Sequence, residues 1–279
     1  MLLSIIIPAY NEAKNLPATM SGLEEKLVAE EIPFEIVVVN DNSSDDTSAV
    51  VDSLIREFPN IVKVDRTPPG GYGRAIRSGL AACQGEAIII CMADMSDDPE
   101  DVVQYYRKLE EGYDCVFGSR FMQESKLVNY PLLKLVVNRL VNYVIKIIFW
   151  CEFNDLTNAF KAYKREVIEV CGPYHSCHFN LTVEMSLSAL IRKYHIAQIP
   201  INWYGRTWGC SNLSMRQMGR RYLEVIIKCY VEKILISDDL VEEKNKNKRQ
   251  KQTGYLELND RVEKLTNKLD ELEQQNKQK

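Results

Sequence analysis

Short apolar runs, each closed by a polar turn and followed by a helical period, recur through the first 115 residues. Leu3 to Ile7, Phe34 to Val39 and Glu86 to Met92 carry the longer runs, and Ile61 to Val64 a shorter one. The segments 15–30 and 43–58, the stretch after the glycines at 70, 71 and 73, and the stretch from Asp98 or Pro99 to about Glu111 read as helices. Another strand opens at Cys115 to Phe117. Apolar strands alternating with helices form βαβ units, so the expected class is α/β with a Rossmann-like, mostly parallel sheet flanked by helices. The opening MLLSIIIPAYNE has no basic leader and its apolar run stops at Pro8, which predicts a buried strand and not a signal peptide.

Ligands of such sheets sit beyond the carboxyl ends of the strands. Three of those ends are polar here: Pro8 to Glu12, Asn40 to Thr47 and Ala93 to Glu100. Carboxylates gathered at one sheet edge repel one another unless a cation joins them, and hard oxygen donors favour Mg²⁺ or Mn²⁺. Ser43, Asp45 and Asp98 read equally as helix caps. Asp41 and Asp94 directly follow apolar strands and read as functional.

Composition narrows the picture. The 279 residues are 46% apolar and 27% charged, as in a globular protein. A net charge of −4 gives no global attraction to nucleic acid. The eight cysteines include no CxxC pair, and most lie in or beside apolar runs, so reduced buried thiols are expected.

The pieces SIIIPAYNE (4–12), EIVVVNDNSSDDT (35–47), GYGRAIRSGL (71–80), IIICMADMSDDPE (88–100), FGSRF (117–121), DLTNAFKAY (155–163) and GRTWGCSNL (205–213) resemble, in order and spacing, a family-2 glycosyltransferase of the GT-A type. The group most resembled is the dolichyl- and polyprenyl-phosphate mannosyl- or glucosyltransferases, and the likeness covers roughly residues 1–230. It implies a nucleotide-sugar half over 1–115 and an acceptor half over 116–236. It implies that Pro8, Ala9, Tyr10 and Glu12, with Val39 and Asp41, and with Met92 and Ala93, bind the nucleotide. A carboxylate after the second strand accepts base N–H groups. The second acid of the family's Asp-x-Asp motif falls on Asp94, the expected metal ligand and catalytic residue, with Ser96 beside it. The first acid is replaced by Met92, whose thioether is a poor ligand for Mg²⁺ or Mn²⁺.

The implied reaction is inverting transfer of a hexose from GDP-mannose or a UDP-sugar to a polyprenyl phosphate. An ionised phosphate needs cationic positioning and no strong base. Arg120 is the first choice for it, and Lys134 and Arg206 are the others. Lys134 reads equally as a solvated lysine. A hydroxyl acceptor needs a base instead, for which Asp98, Asp155 and Glu184 are candidates. Two other readings stand beside this one: a family-2 transferase acting on a glycan hydroxyl in surface polysaccharide synthesis, and a nucleotide-sugar-binding scaffold with weakened catalysis.

Pro131 to Trp150 is apolar but interrupted by Lys134, Asn138, Arg139, Asn142 and Lys146, as in a helix lying at a bilayer interface; a core or dimer helix is the alternative. The expected location is peripheral, on the cytoplasmic face of a membrane. Basic residues over 244–251 in a polar linker (237–253) offer a second membrane contact. Leu258, Val262, Leu265, Leu269 and Leu272 take a/d spacing, which predicts a short coiled coil over 254–279 and a homo-oligomer.

Overall fold

The computed structural model describes residues 1–205 and 219–237. The expectations for Arg206, for 244–251 and for the coiled coil over 254–279 lie outside the described residues. The chain divides into two units, Met1–Tyr230 and Val231–Lys279; of the second, residues 231–237 are described and helical.

The first unit begins with β1 (Leu3–Ala9), α1 (Leu16–Ala29), β2 (Phe34–Asn40), α2 (Thr47–Glu57), β3 (Ile61–Asp65), α3 (Tyr72–Ala82) and β4 (Ala87–Ile90). It continues through α4 (Pro99–Glu110), β5 (Cys115–Ser119), β6 (Lys126–Val128) and α5 (Leu132–Phe149). β7 (Lys161–Lys164), α6 (Arg165–Cys171), α7 (Asn180–Ile191), β8 (Ile196–Pro200) and β9 (Asn202–Tyr204) follow, and residues 219–230 are helical. Seven strands form one sheet in the order β3-β2-β1-β4-β7-β5-β8, and β6 pairs with β9 in a second.

Strand alternation sends successive side chains to opposite layers. Leu3, Ile5 and Ile7 of β1 join Leu16, Met20 and Leu23 of α1 and Val102, Tyr105 and Tyr106 of α4 in one core. Ile6, between them, faces α3 at Gly79. Both sheet faces are therefore covered, which is why these strands read as unbroken apolar runs. Asp98 caps α4 by accepting the Glu100 N–H at 3.0 Å, with Pro99 in the first turn and Arg107 and Lys108 in the last. This places cap, proline and charges where helix-end chemistry favours them.

Two features depart from the sequence pattern. α2 starts at Thr47 and not at Ser43, because the intervening loop is tied to the β1 turn. The Asn11 N–H donates to Ser43 Oγ at 3.0 Å, and Asn11 Oδ1 accepts the Ser44 N–H at 2.8 Å. The sheet is mostly parallel as the pattern predicts, but β7, which no apolar run marks, runs antiparallel between β4 and β5. The seven described cysteines are free thiols, and all but Cys177 are buried. No described helix is long and apolar enough to cross a membrane.

Candidate active site

The register fixes the site. Ala9 of β1 pairs with Asn40 of β2, and Ile6 with Ile90 of β4, so the three polar turns leave one edge of neighbouring strands. Each turn contains a non-glycine residue in the left-handed region: Asn11 (φ 57), Asn42 (φ 62) and Met95 (φ 59). Such residues reverse the chain sharply at a conformational cost.

The first two turns hold each other. The Asp41 N–H donates to Ala9 O at 2.8 Å. The buried Asp41 carboxylate accepts the Gly71 N–H at 2.5 Å, the Asn42 amide at 3.1 Å and the Arg66 guanidinium. Glu12 is buried, its N–H donating to Thr47 Oγ1 at 2.9 Å and its carboxylate accepting from Asn15 at 2.6 Å. Val39 and Ala9 are buried beneath, Pro8 is partly covered, and Tyr10 stands out at the edge with 48% of its surface exposed. Arg66 was not singled out by motif, since only its position after β3 brings it to Asp41.

Across β1, the Asp94 turn is wound by its own side chains. Asp94 is buried and its Oδ1 accepts the Ser96 N–H at 3.2 Å. The Met92 N–H donates to Asp97 Oδ2 at 2.8 Å, and Ala93 O accepts from Thr19 Oγ1 at 2.9 Å. Below the turn lies a cavity of about 300 Å³ lined by Thr19, Gly22, Met92, Met95, Asp97 and Tyr204. Burial pushes the Asp97 carboxyl up to about 7, despite the Met92 N–H. Among the described residues no three His, Cys, Asp or Glu side chains gather to hold an ion. A single carboxylate, Asp94, with Ser96 beside it, is the kind of donor set Mg²⁺ uses when most of its ligands are phosphate oxygens and waters.

The second cluster follows β5. Arg120 Nε donates to Asp155 Oδ2 at 2.8 Å and Nη2 to Oδ1 at 2.7 Å, both residues being buried. The planar fork expected to meet a phosphate is thus filled by Asp155, and Nη1 turns to the Tyr130 hydroxyl at 3.2 Å. Lys134 Nζ lies 5.5 Å from the Tyr130 ring centre and Arg120 Cζ 5.7 Å from it, so the structure brings these two cations to one ring. Asn142 of α5 locks the loop before β7: its amide donates to Thr157 Oγ1 at 2.8 Å, and its oxygen accepts the Leu156 N–H at 2.7 Å. Lys161, fully buried, secures the same loop by donating to Leu156 O at 2.7 Å and Asn158 O at 2.6 Å. Burial brings its ammonium down to about 7. Nothing in the local sequence distinguishes Lys161 from a surface lysine.

The candidate bases are committed elsewhere. Asp98 caps α4 and accepts from Asn202 at 3.2 Å. Glu184 accepts the Ser176 N–H at 2.8 Å and pairs with Lys228 at 2.5 Å; burial works to raise its carboxyl, but these partners hold it below the usual range. α5 points Asn142, Ile145 and Phe149 inward and leaves Leu132, Leu133, Val136, Leu140, Tyr143 and Ile147 exposed.

A mostly parallel sheet whose carboxyl edge carries an acid after β2 and another after β4, with helices on both faces, is the arrangement of a GT-A glycosyltransferase. Residues 4–172 match the profile described as glycosyl transferase family 2, and the chain belongs to that family. Polyprenol monophosphomannose synthase of Mycolicibacterium smegmatis is 28% identical over 216 residues, covering 75% of this chain and 80% of that protein. Glycosyltransferase AglD of Haloferax volcanii is 26% identical over 206 residues, covering 72% of this chain and 32% of that longer protein. The glucosyl-3-phosphoglycerate synthase of Mycobacterium tuberculosis, crystallised with UDP, superposes with a TM-score of 0.62 at 18% identity, over 82% of this chain and 80% of that one. The same enzyme has been crystallised with Mn²⁺, UDP and phosphoglyceric acid, again at a TM-score of 0.62. At that identity the likeness speaks for the fold.

Proposed function

We propose that this glycosyltransferase moves a hexose from a nucleotide diphosphate sugar to a polyprenyl phosphate, with inversion and with Mg²⁺ or Mn²⁺. The observation that carries the reading is the Tyr130 ring, shared by Arg120 and Lys134 at the start of a helix whose outer face is bare apolar surface. A phosphate on a lipid chain matches that pairing of cation and exposed apolar helix. The name of the Mycolicibacterium relative supports the same acceptor class and suggests mannose.

The chain's own groups divide the work. A carboxylate offers about four lone-pair directions. Asp41 uses some of them on Arg66, Asn42 and Gly71, and a base N–H takes a remaining one. Asp94, with Ser96 beside it, would hold the cation. Bound there, Mg²⁺ or Mn²⁺ would supply Lewis-acid neutralisation of the charge on the leaving nucleoside diphosphate. Lys134 and the Nη1 edge of Arg120 orient the acceptor, whose oxygen is already ionised. The commitment of Asp98, Asp155 and Glu184 to structural partners favours a phosphate over a hydroxyl acceptor. Peripheral contact with the cytoplasmic face of a membrane, through the outer face of α5, delivers that acceptor.

The test is incubation of the full chain with GDP-mannose and UDP-glucose, Mn²⁺ or EDTA, and a short polyprenyl phosphate. Lipid-linked sugar of inverted anomeric configuration is expected, and only with metal. Turnover confined to glycan acceptors would replace this reading.

A further inference from the structure

The Gly70–Gly71 turn separates Asp41 from a second group of side chains, Arg74 of the 71–80 piece and, outside every quoted piece, His178 and Arg221. A Cβ placed on Gly70 would lie 3.3 Å from Asp41 Oδ2. One placed on Gly71 (φ 147) would lie 3.2 Å from Arg74 Nη1 and 3.4 Å from His178 Cε1. Arg74 donates to Gly70 O at 2.8 Å, and among the described residues its guanidinium has no acid partner. Arg221, on the helix over 219–230, likewise has no acid partner among the described residues, while its neighbour Arg220 pairs with Glu224 at 2.8 Å. Burial, then Arg221, then Arg74 lower the proton affinity of His178, and Asp41 opposes them. Both guanidinium groups therefore act on the same imidazole.

Among the described residues neither cation has an acid partner, and an anion placed between them offsets their mutual repulsion. The anion expected at this edge is a phosphate. The Asp94 turn, at the same sheet edge, lacks the first acid of the resembled motif, having Met92 in its place, so fewer protein carboxylates are available to a metal there.

We infer that Arg74 and Arg221, with His178 beside them, form a phosphate-binding wall for the diphosphate of the donor, so that the helix over 219–230 completes the nucleotide site. This rests on the donor reading given above and deepens it. The helix also reaches the acceptor cluster, because Tyr222 lies within electrostatic range of Arg120, Tyr130 and Asp155. Its Lys228 is fixed to Glu184, which in turn holds the 175–176 backbone next to the turn.

The experiment is titration calorimetry of the full chain, in EDTA, with UDP, GDP, uridine, guanosine and farnesyl phosphate. Arg74→Met and Arg221→Met should each weaken UDP or GDP binding about tenfold, the scale of one charge-assisted hydrogen bond. Nucleoside binding should stay unchanged, and Arg74→Lys and Arg221→Lys should retain most of the affinity. Unchanged UDP and GDP binding in the Met variants overturns the inference. So does equal loss of nucleoside binding, which would mark general damage to the fold. Loss confined to farnesyl phosphate would move the wall to the acceptor and likewise overturn it. Wild-type protein that binds UDP or GDP with Mn²⁺ but not in EDTA would overturn the wall alone, and binding of neither with Mn²⁺ restored would remove the donor reading itself.

Discussion

Arg120 and Asp155 form a two-point ion pair from which water is almost wholly excluded, Nε to Oδ2 at 2.8 Å and Nη2 to Oδ1 at 2.7 Å. Removing one partner of such a pair leaves an unmatched charge in the interior, at a cost of about 3–5 kcal/mol. Asp155→Ala is therefore expected to lower the unfolding free energy measured by urea titration by that amount, with an unchanged m value. Arg120→Lys, which keeps the charge but loses the fork, should also destabilise. A loss below about 1 kcal/mol in Asp155→Ala would show that the pair is solvated in practice.

Asp94 supplies the one motif carboxylate of its turn. Asp94→Asn, nearly isosteric, should leave the melting temperature within a few degrees of wild type and abolish turnover. It should also remove any strengthening of nucleotide binding by Mn²⁺. Activity within threefold of wild type would take Asp94 out of the reaction.

Asp101 gives a pH signature. It is buried, accepts the Asn202 N–H at 2.8 Å, and burial raises its carboxyl from 3.8 to about 6. A raised carboxyl favours the folded state while protonated, below the unfolded pKa, and that benefit is lost as pH climbs through the folded value. Stability from this group should thus fall between about pH 4 and pH 6, by on the order of 3 kcal/mol. Asp101→Asn keeps the acceptor and cannot ionise. Its unfolding free energy relative to wild type should rise across that window. A flat difference would mean that Asp101 titrates normally.

The outer face of α5 carries a membrane prediction. Leu133 and Leu140 are 70% and 62% exposed, so Leu133→Glu and Leu140→Glu should leave folding intact. Sedimentation with vesicles of neutral and anionic lipid should drop at least tenfold in the double variant. Equal sedimentation of wild type and variant would assign the stripe another partner.

Much of the donor half was legible in the sequence, because its strands are buried on both faces and end in acids within a few residues. Asp41 and Asp94 follow β2 and β4 directly, and Asp98 shows its capping role through Pro99. Other features rest on contacts between distant residues. Arg66 meets Asp41, Arg221 approaches His178, and Arg120 meets Asp155, none of which a local pattern encodes. β7 escaped notice because a four-residue strand with a lysine at each end, one of them fully buried, has no apolar run. Arg120 illustrates the same limit. Its motif marked an arginine of consequence, but only the structure shows its fork gripping an acid of the chain itself.

The direction of that short strand has a topological consequence. Since β7 runs against its neighbours, the loop that enters it arrives at the edge where β4 and β5 finish. Asp155, Thr157 and Asn158 are thereby delivered to the ligand side without a long crossover. A strand of the opposite polarity in the same slot would bring its leading loop to the far rim of the sheet and strand Arg120 without its acid. Four residues of reversed polarity thus let a loop late in the chain serve the same rim as the earlier turns.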